Sequence, residues 1–187
     1  MTRLTVTDLP LAGLKLVERQ LIGDDRGYLC RLFCKEELEA CGWKKPVAQI
    51  NHTYTSKKGT IRGLHYQIQP WTEMKLVNCI RGEVWDVAVD LRSNSPTFMH
   101  WHAQILSENN RRALLLPEGF AHGFQSLTDD VELIYLHSEV YYPNAEAALR
   151  FDDKILDIKW PLAITAISER DKAHSLLTTK FKGITLI

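Results

Sequence analysis

The chain is predicted to fold as an all-β protein on three observations. Its apolar residues fall in short runs, glycines and prolines cut those runs at close intervals, and where a period is clear it is two. The runs that read as strands are Leu14–Ile22, Val47–Tyr54, Ile61–Gln67, Lys75–Ile80, Glu83–Leu91, Trp101–Leu106, Arg112–Leu116, Ala121–Leu127 and Val131–Val140. In Glu83–Leu91 the residues Trp85, Val87, Val89 and Leu91 share one face, and Val84, Asp86, Ala88 and Asp90 the other. Arg81-Gly82 reads as a hairpin turn between two of these strands. Many short strands with frequent turns indicate a sandwich or small barrel. Helical patterning is confined to Lys35–Cys41, with Gly42 as its C′ residue, and to Asp152–Leu156.

At 187 residues the chain reads as one domain, 1–187, large enough to bury a core without disulfides or a structural metal. Lys+Arg and Asp+Glu both total 23, so the formal charge is zero. No diffuse positive field would draw in nucleic acid or an anionic membrane, and an anionic ligand must be met by local groups. Met1–Asp8 lacks the apolar segment of a secretory signal, and no run approaches the roughly 18 apolar residues of a spanning helix. The expected location is cytoplasmic. Cys30, Cys34, Cys41 and Cys79 match neither a zinc pair nor a secreted disulfide lattice and read as reduced, small apolar side chains.

The chemistry concentrates in Gly59–Gln67, which puts Arg62 and His65 on a short apolar run, with Lys75 ten residues beyond the histidine. A neutral imidazole and fixed positive charge are what is needed to take a proton from carbon beside a carbonyl and hold the resulting enolate oxygen. In a flat strand His65 shares a face with Gly63 and Gln67, and Arg62 falls on the other. For both to reach one ligand, Gly63 must bend or bulge the chain. Three further segments carry polar groups at turns: Pro117–Phe124 with His122, Val140–Pro143 with Tyr141 and Tyr142, and Ser168–Asp171 with its late carboxylate. Taken alone, each is equally a packing histidine, a pair of rim phenols and a solvated loop acid.

Together the motifs Arg-Gly-Leu-His-Tyr-Gln, Arg81–Arg92, Pro-Glu-Gly-Phe-Ala-His-Gly-Phe and Ser-Glu-Arg-Asp resemble, in order and spacing, the dTDP-4-dehydrorhamnose 3,5-epimerase family of nucleotide-sugar epimerases. The likeness runs from about Arg26 to Asp171. It implies a cupin-like double-stranded β-helix, or jelly roll, with a few short helices, substrate bound inside the barrel and pairing as a homodimer. It also implies inversion of C3 and/or C5 of a nucleotide-linked 4-keto-6-deoxyhexose through an enolate, with a dehydratase upstream and a ketoreductase downstream in deoxysugar or polysaccharide biosynthesis.

By the same resemblance His65 is the base, Asp171 its partner, Lys75 the donor to the C4 oxygen and Tyr141 the acid on the opposite face, with Tyr142 as fallback. Arg62, His122, Gln49 and Asn51 match substrate-binding positions. No cofactor and no metal is expected, because metal-binding relatives carry a His-x-His pair where this chain has His65 and Gln67, and His100 and His102 lie outside the motif. Arg26, Leu29 and Arg31 match a segment contributed to the neighbouring subunit's nucleotide site, but Leu29 stands at an aromatic position and Arg31 at that of a glutamate. A carboxylate accepts the N3–H of thymine, whereas an arginine donates to the N3 and O2 of cytosine. That reversal of hydrogen-bond sense points toward a CDP-linked sugar, and the expectation stays with a dTDP-linked one only because dTDP is the nucleotide usual in the resembled family. The alternatives are a CDP-linked 5-epimerase, a non-catalytic sugar-nucleotide-binding jelly roll and a 3,4-ketoisomerase.

Overall fold

The computed structural model describes residues 2–186. In chain order its strands are β1 (Leu4–Asp8), β2 (Lys15–Arg19), β3 (Leu21–Asp24), β4 (Gly27–Cys30), β5 (Gln49–Thr55), β6 (Ile61–Gln67), β7 (Lys75–Arg81) and β8 (Glu83–Asp90). They continue as β9 (Trp101–Ser107), β10 (Arg112–Leu116), β11 (Phe120–Ser126), β12 (Val131–His137) and β13 (Glu146–Ala148), with helices α1 (Lys35–Glu39) and α2 (Glu169–Ala173). Antiparallel pairing builds a six-stranded sheet in the order β1-β2-β10-β7-β12-β5 and a five-stranded sheet in the order β13-β6-β11-β8-β9. The remaining ribbon, β3-β4, stands apart from both. This is the jelly roll that the resemblance implies.

The alternation of each strand sends one set of side chains between the sheets. Val77, Val84, Ala88, Leu114, Phe124 and Leu133 fill one part of that space as a continuous apolar core. Burying such side chains supplies about 1.5–3 kcal/mol each. The outer face of the six-stranded sheet is closed by Leu38 of α1 and by Trp43. That of the five-stranded sheet is closed by the C-terminal segment through Leu156, Ile158 and Ile184. The other part of the inter-sheet space is left open, and the site lies there. None of the helices among the described residues is long and apolar enough to cross a membrane.

The bounds of β6 and β10 coincide with the predicted runs, but the structure corrects four expectations. Leu14–Ile22 is two strands, because the chain leaves the six-stranded sheet at Gln20 to form the β3-β4 ribbon. Arg81-Gly82 is no hairpin turn, since β7 and β8 belong to different sheets. Gly82, at φ +72, carries the crossing, where a Cβ would come within 2.6 Å of Thr128 Oγ1. Asp152–Leu156 forms turns instead of a helix, its Asp153 carboxylate accepting from the backbone N–H groups of Ile155 and Leu177. The Ser168–Asp171 turn is instead the start of α2, capped by Ser168 Oγ, which accepts from Asp171 N at 3.0 Å.

Candidate active site

Between the sheets lies a cavity of about 550 Å³. His65, His122 and Arg62 reach it from the five-stranded sheet, and Lys75, Tyr135 and Asn51 from the six-stranded one.

The bulge that Arg62 requires is present. On β11 the partners of His65 and Arg62 are His122 and Phe124, so one residue of β11 faces two of β6 and the register shifts at Gly63 and Leu64. Arg62 and His65 consequently line the same cavity while Leu64 packs behind, in the outer core. Gly63 sits at φ +111, with the His122 carbonyl and Gly123 Cα each 2.7 Å from where a Cβ would be. Gly63→Ala should therefore cost about 3 kcal/mol or more, read as a lowered denaturation midpoint. A variant of unchanged stability would mean that the bulge is not rigid.

Asp171 is brought to the far side of His65 by α2, whose preceding segment is tied to β6 through the Thr60–Ala166 bridge. Its Oδ1 lies 2.7 Å from His65 Nε2, and its Oδ2 accepts the Gly63 N–H at 3.3 Å. Burial alone would push the carboxyl upward, but the bond from His65, the charge of that ring and the Gly63 and Ser168 contacts outweigh it and hold Asp171 below the usual carboxylate range. An ionised Asp171 fixes the proton on His65 Nε2 and leaves Nδ1 with a free lone pair. The stability that this pair contributes is present above the unfolded-state value near about 3.9 and is lost as pH falls through the lower folded-state value. Melting temperatures of the wild type and Asp171→Asn should therefore converge as pH falls from about 5 to below about 4. A gap that does not narrow over that interval would contradict the assignment.

Lys75, almost fully buried, directs Nζ to within 3.4 Å of the His65 carbonyl oxygen. His122 is buried against Asp86, whose two carboxylate oxygens lie 3.0 and 2.9 Å from Nε2. Burial pushes the Asp86 carboxyl upward, against the pull of that histidine. The His122 ring in turn meets the Tyr135 ring edge to face at 5.8 Å. Burial, reinforced by the charge of Asp86, pushes the Tyr135 phenol up, so it stays protonated through the neutral range.

The phenol in the cavity is thus Tyr135 and not Tyr141. Tyr141 is 48% exposed, donates its hydroxyl to Glu146 at 2.8 Å and is absent from the cavity lining. Tyr142 stacks on Trp71. Gln49 also stays out of the lining, supporting Asn51 instead through a 3.0 Å bond to Asn51 Oδ1. Arg26 and Leu29 lie on the exposed β3-β4 ribbon, away from this chain's own cavity. Arg31 is paired with Glu37, which also accepts the Arg3 and Leu4 N–H groups. The guanidinium taken from sequence as a cytosine donor is therefore already engaged within its own chain.

Sequence reasoning gives no role to Tyr135, Asp86, Glu73 or His137, of which Tyr135 and His137 line the cavity and Asp86 and Glu73 pair with its histidines. A signal existed for the first two: Tyr135 alternates with Leu133 on the inward face of its run, and Asp86 is a carboxylate between Val84 and Ala88. Among the described residues, those that could hold a metal ion are His65, Asp171 and His174, whose ligand atoms lie within 4.8 Å of one another. Two of these are already donor and acceptor to each other, an arrangement suited to proton transfer.

A carboxylate-backed imidazole, a buried ammonium and a phenol around one cavity of a cupin-like jelly roll suit the transfer of a proton at carbon, the chemistry of sugar isomerases and epimerases, and fold and cavity together point to that class. The family model for dTDP-4-dehydrorhamnose 3,5-epimerase matches residues 8–179, and the chain belongs to that family. It is 42% identical over 166 residues to the dTDP-4-dehydrorhamnose 3,5-epimerase of Shigella flexneri, covering 88% of this chain and 90% of the relative. A solved dTDP-6-deoxy-D-glucose-3,5-epimerase from Legionella pneumophila, in complex with dTDP-4-keto-L-rhamnose, is 39% identical with TM-score 0.87 over 92% of each chain. A 3'-monoepimerase from Streptomyces bikiniensis, 34% identical with TM-score 0.83, covers 90% of this chain and 85% of its own. It was solved with dTDP as a double mutant, histidine to asparagine at its position 60 and tyrosine to phenylalanine at its position 130.

Proposed function

We propose that the protein inverts C3 and C5 of a dTDP-linked 4-keto-6-deoxyhexose, converting dTDP-4-dehydro-6-deoxyglucose to dTDP-4-dehydrorhamnose. The observation that carries this is the placement of a carboxylate-backed imidazole and a protonated phenol on facing sheets of one cavity. A sugar ring held between them is deprotonated from the His65 side and reprotonated from the Tyr135 side, which inverts the centre. His65 Nδ1 takes the proton made acidic by the 4-keto group, Asp171 stabilises the imidazolium, and the Lys75 ammonium meets the enolate oxygen. His122, with Asp86 behind it, holds the Tyr135 ring by its edge contact. Arg62 supplies the planar donor set suited to the diphosphate. The interval between His65 and Tyr135 equals that between the two positions replaced in the Streptomyces bikiniensis enzyme, which supports Tyr135 as the acid.

The same reading includes a homodimer acting in the cytoplasm between a dehydratase and a ketoreductase. The β3-β4 ribbon, with Ile22, Tyr28 and Leu29 46%, 72% and 57% exposed, suits insertion beside the neighbouring cavity, next to the edge strand β5. Arg26 and Leu29 would then serve the partner's nucleotide.

Incubation with dTDP-4-dehydro-6-deoxyglucose in D2O tests the reaction. Solvent deuterium at both C3 and C5 of an inverted product, read by NMR, is the expected result. Label at a single carbon would make the enzyme a monoepimerase, and a displaced carbonyl would make it a ketoisomerase. Binding without any exchange would end the enzymatic reading.

A further inference from the structure

His137 lines the cavity and forms a third histidine–carboxylate pair with Glu73, which the proton transfers above leave unused. Glu73, two residues before β7, has a side chain only 9% exposed. Its Oε1 lies 3.2 Å from Lys75 Nζ, and its Oε2 lies 2.7 Å from His137 Nδ1. The register across β12 accounts for the meeting, since His137 is paired with Lys75 on one side and with Gln49 on the other. From there a polar chain runs along the wall. Asn51 Nδ2 donates to His137 Nε2 at 3.4 Å, Gln49 Nε2 to Asn51 Oδ1 at 3.0 Å, and the Tyr141 backbone N–H to Gln49 Oε1 at 3.0 Å. The donor senses agree along its length. With Glu73 accepting the Nδ1–H, His137 Nε2 presents the lone pair into which Asn51 donates.

Lys75 has few other fixtures. Its side chain is 10% exposed, its remaining contact is the His65 carbonyl at 3.4 Å, and Glu73 is its one ion-pair partner among the described residues. A buried ammonium needs an anion to offset its desolvation, and a four-carbon stem needs something to fix its direction. The Glu73 carboxyl is fitted to this task. Burial would push it up, but the charge of Lys75 and the bond from His137 hold it below the usual carboxylate range.

We infer that Glu73 is a positioning residue for the reaction, holding the Lys75 ammonium where the enolate oxygen forms and tying that position to the Asn51–Gln49 wall. The inference depends on the proposed role of Lys75, and the test separates the two. Glu73→Gln keeps the shape and removes the charge. It should lower kcat by about tenfold to a hundredfold with KM changed less than about threefold, and Glu73→Asp should recover part of the loss. In a Lys75→Met background the added Glu73→Gln should change kcat by less than about twofold, because its effect runs through the missing ammonium. Losses that multiply in the double variant, or an E73Q enzyme with wild-type kcat, would overturn the inference. If E73Q fails to fold, the kcat of E73D decides: a wild-type value overturns the positioning role, and a reduced kcat at unchanged KM sustains it. A fully active Lys75→Met enzyme would instead overturn the proposed mechanism itself.

Discussion

Replacing His65 with asparagine should lower turnover by about 10²- to 10⁴-fold and abolish deuterium incorporation from D2O at both C3 and C5. The substitution is chosen for what it preserves. The asparagine amide keeps a polar group beside Asp171 although it ends short of the Nε2 position, and the carboxylate retains the Gly63 N–H, so stability should fall by about 1–3 kcal/mol. What disappears is the unprotonated nitrogen. Of the other histidines lining the described cavity, His137 accepts from Asn51 at Nε2 and gives Nδ1 to Glu73, and His122, held by Asp86 at Nε2, is buried with its ring edge against Tyr135. Affinity for dTDP should stay within about threefold, because nothing in the argument gives the imidazole a share in nucleotide binding. Exchange at either carbon at a wild-type rate in the H65N enzyme would show that a different base does the work.

The strands that build the cavity were legible in the sequence wherever their patterning was determined by burial. Ile61–Gln67 and Arg112–Leu116 lie between partners on both sides, and their apolar content marks their ends. Elements held by tertiary contact left little trace. β4 is four residues pairing only with β3, β13 is three residues on the edge beside β6, and α2 is a single capped turn whose purpose is to seat Asp171. Local propensity in such segments is weak, so packing decides. The Arg81-Gly82 error has a related cause: a glycine at positive φ marks a change of chain direction equally well within a sheet or between two sheets.

The site was legible in part for the same physical reason. His65, Lys75 and Arg62 belong to one motif on adjacent segments, and the need for a bulge at Gly63 follows from the period of a strand. The proposed acid was not recoverable from local pattern. Tyr135 stands amid Leu133, Ile134 and Leu136, where an aromatic ring reads as core, and it becomes chemical only because β12 lies opposite β6 across an unfilled space. Tyr141, in a segment rich in turn residues, has the look of an exposed functional phenol. Its hydroxyl is spent on Glu146, a bond that pushes its pKa up, in a position open to water.

That distinction predicts a result that separates proton abstraction from proton delivery. Tyr135→Phe should lower formation of the inverted product by about 10²- to 10³-fold while solvent exchange at the acidic carbon continues. With the phenol gone the enolate still forms, because His65, Asp171 and Lys75 are untouched. The only proton then available is the one on the imidazolium, which has itself exchanged with solvent and returns to the face it left. Deuterium therefore accumulates in substrate of unchanged configuration, a signature that a merely misfolded or weakly binding variant cannot produce. The buried ring is edge-on to His122 and packed with Val77 and Leu133, so removing one hydroxyl leaves the wall in place. Tyr141→Phe loses only a hydrogen bond at the surface and should keep turnover within about threefold. Were the Y141F enzyme to exchange without inverting while Y135F behaved as wild type, the donor would be the outer phenol, and the sugar would have to sit nearer the barrel mouth than the facing sheets place it.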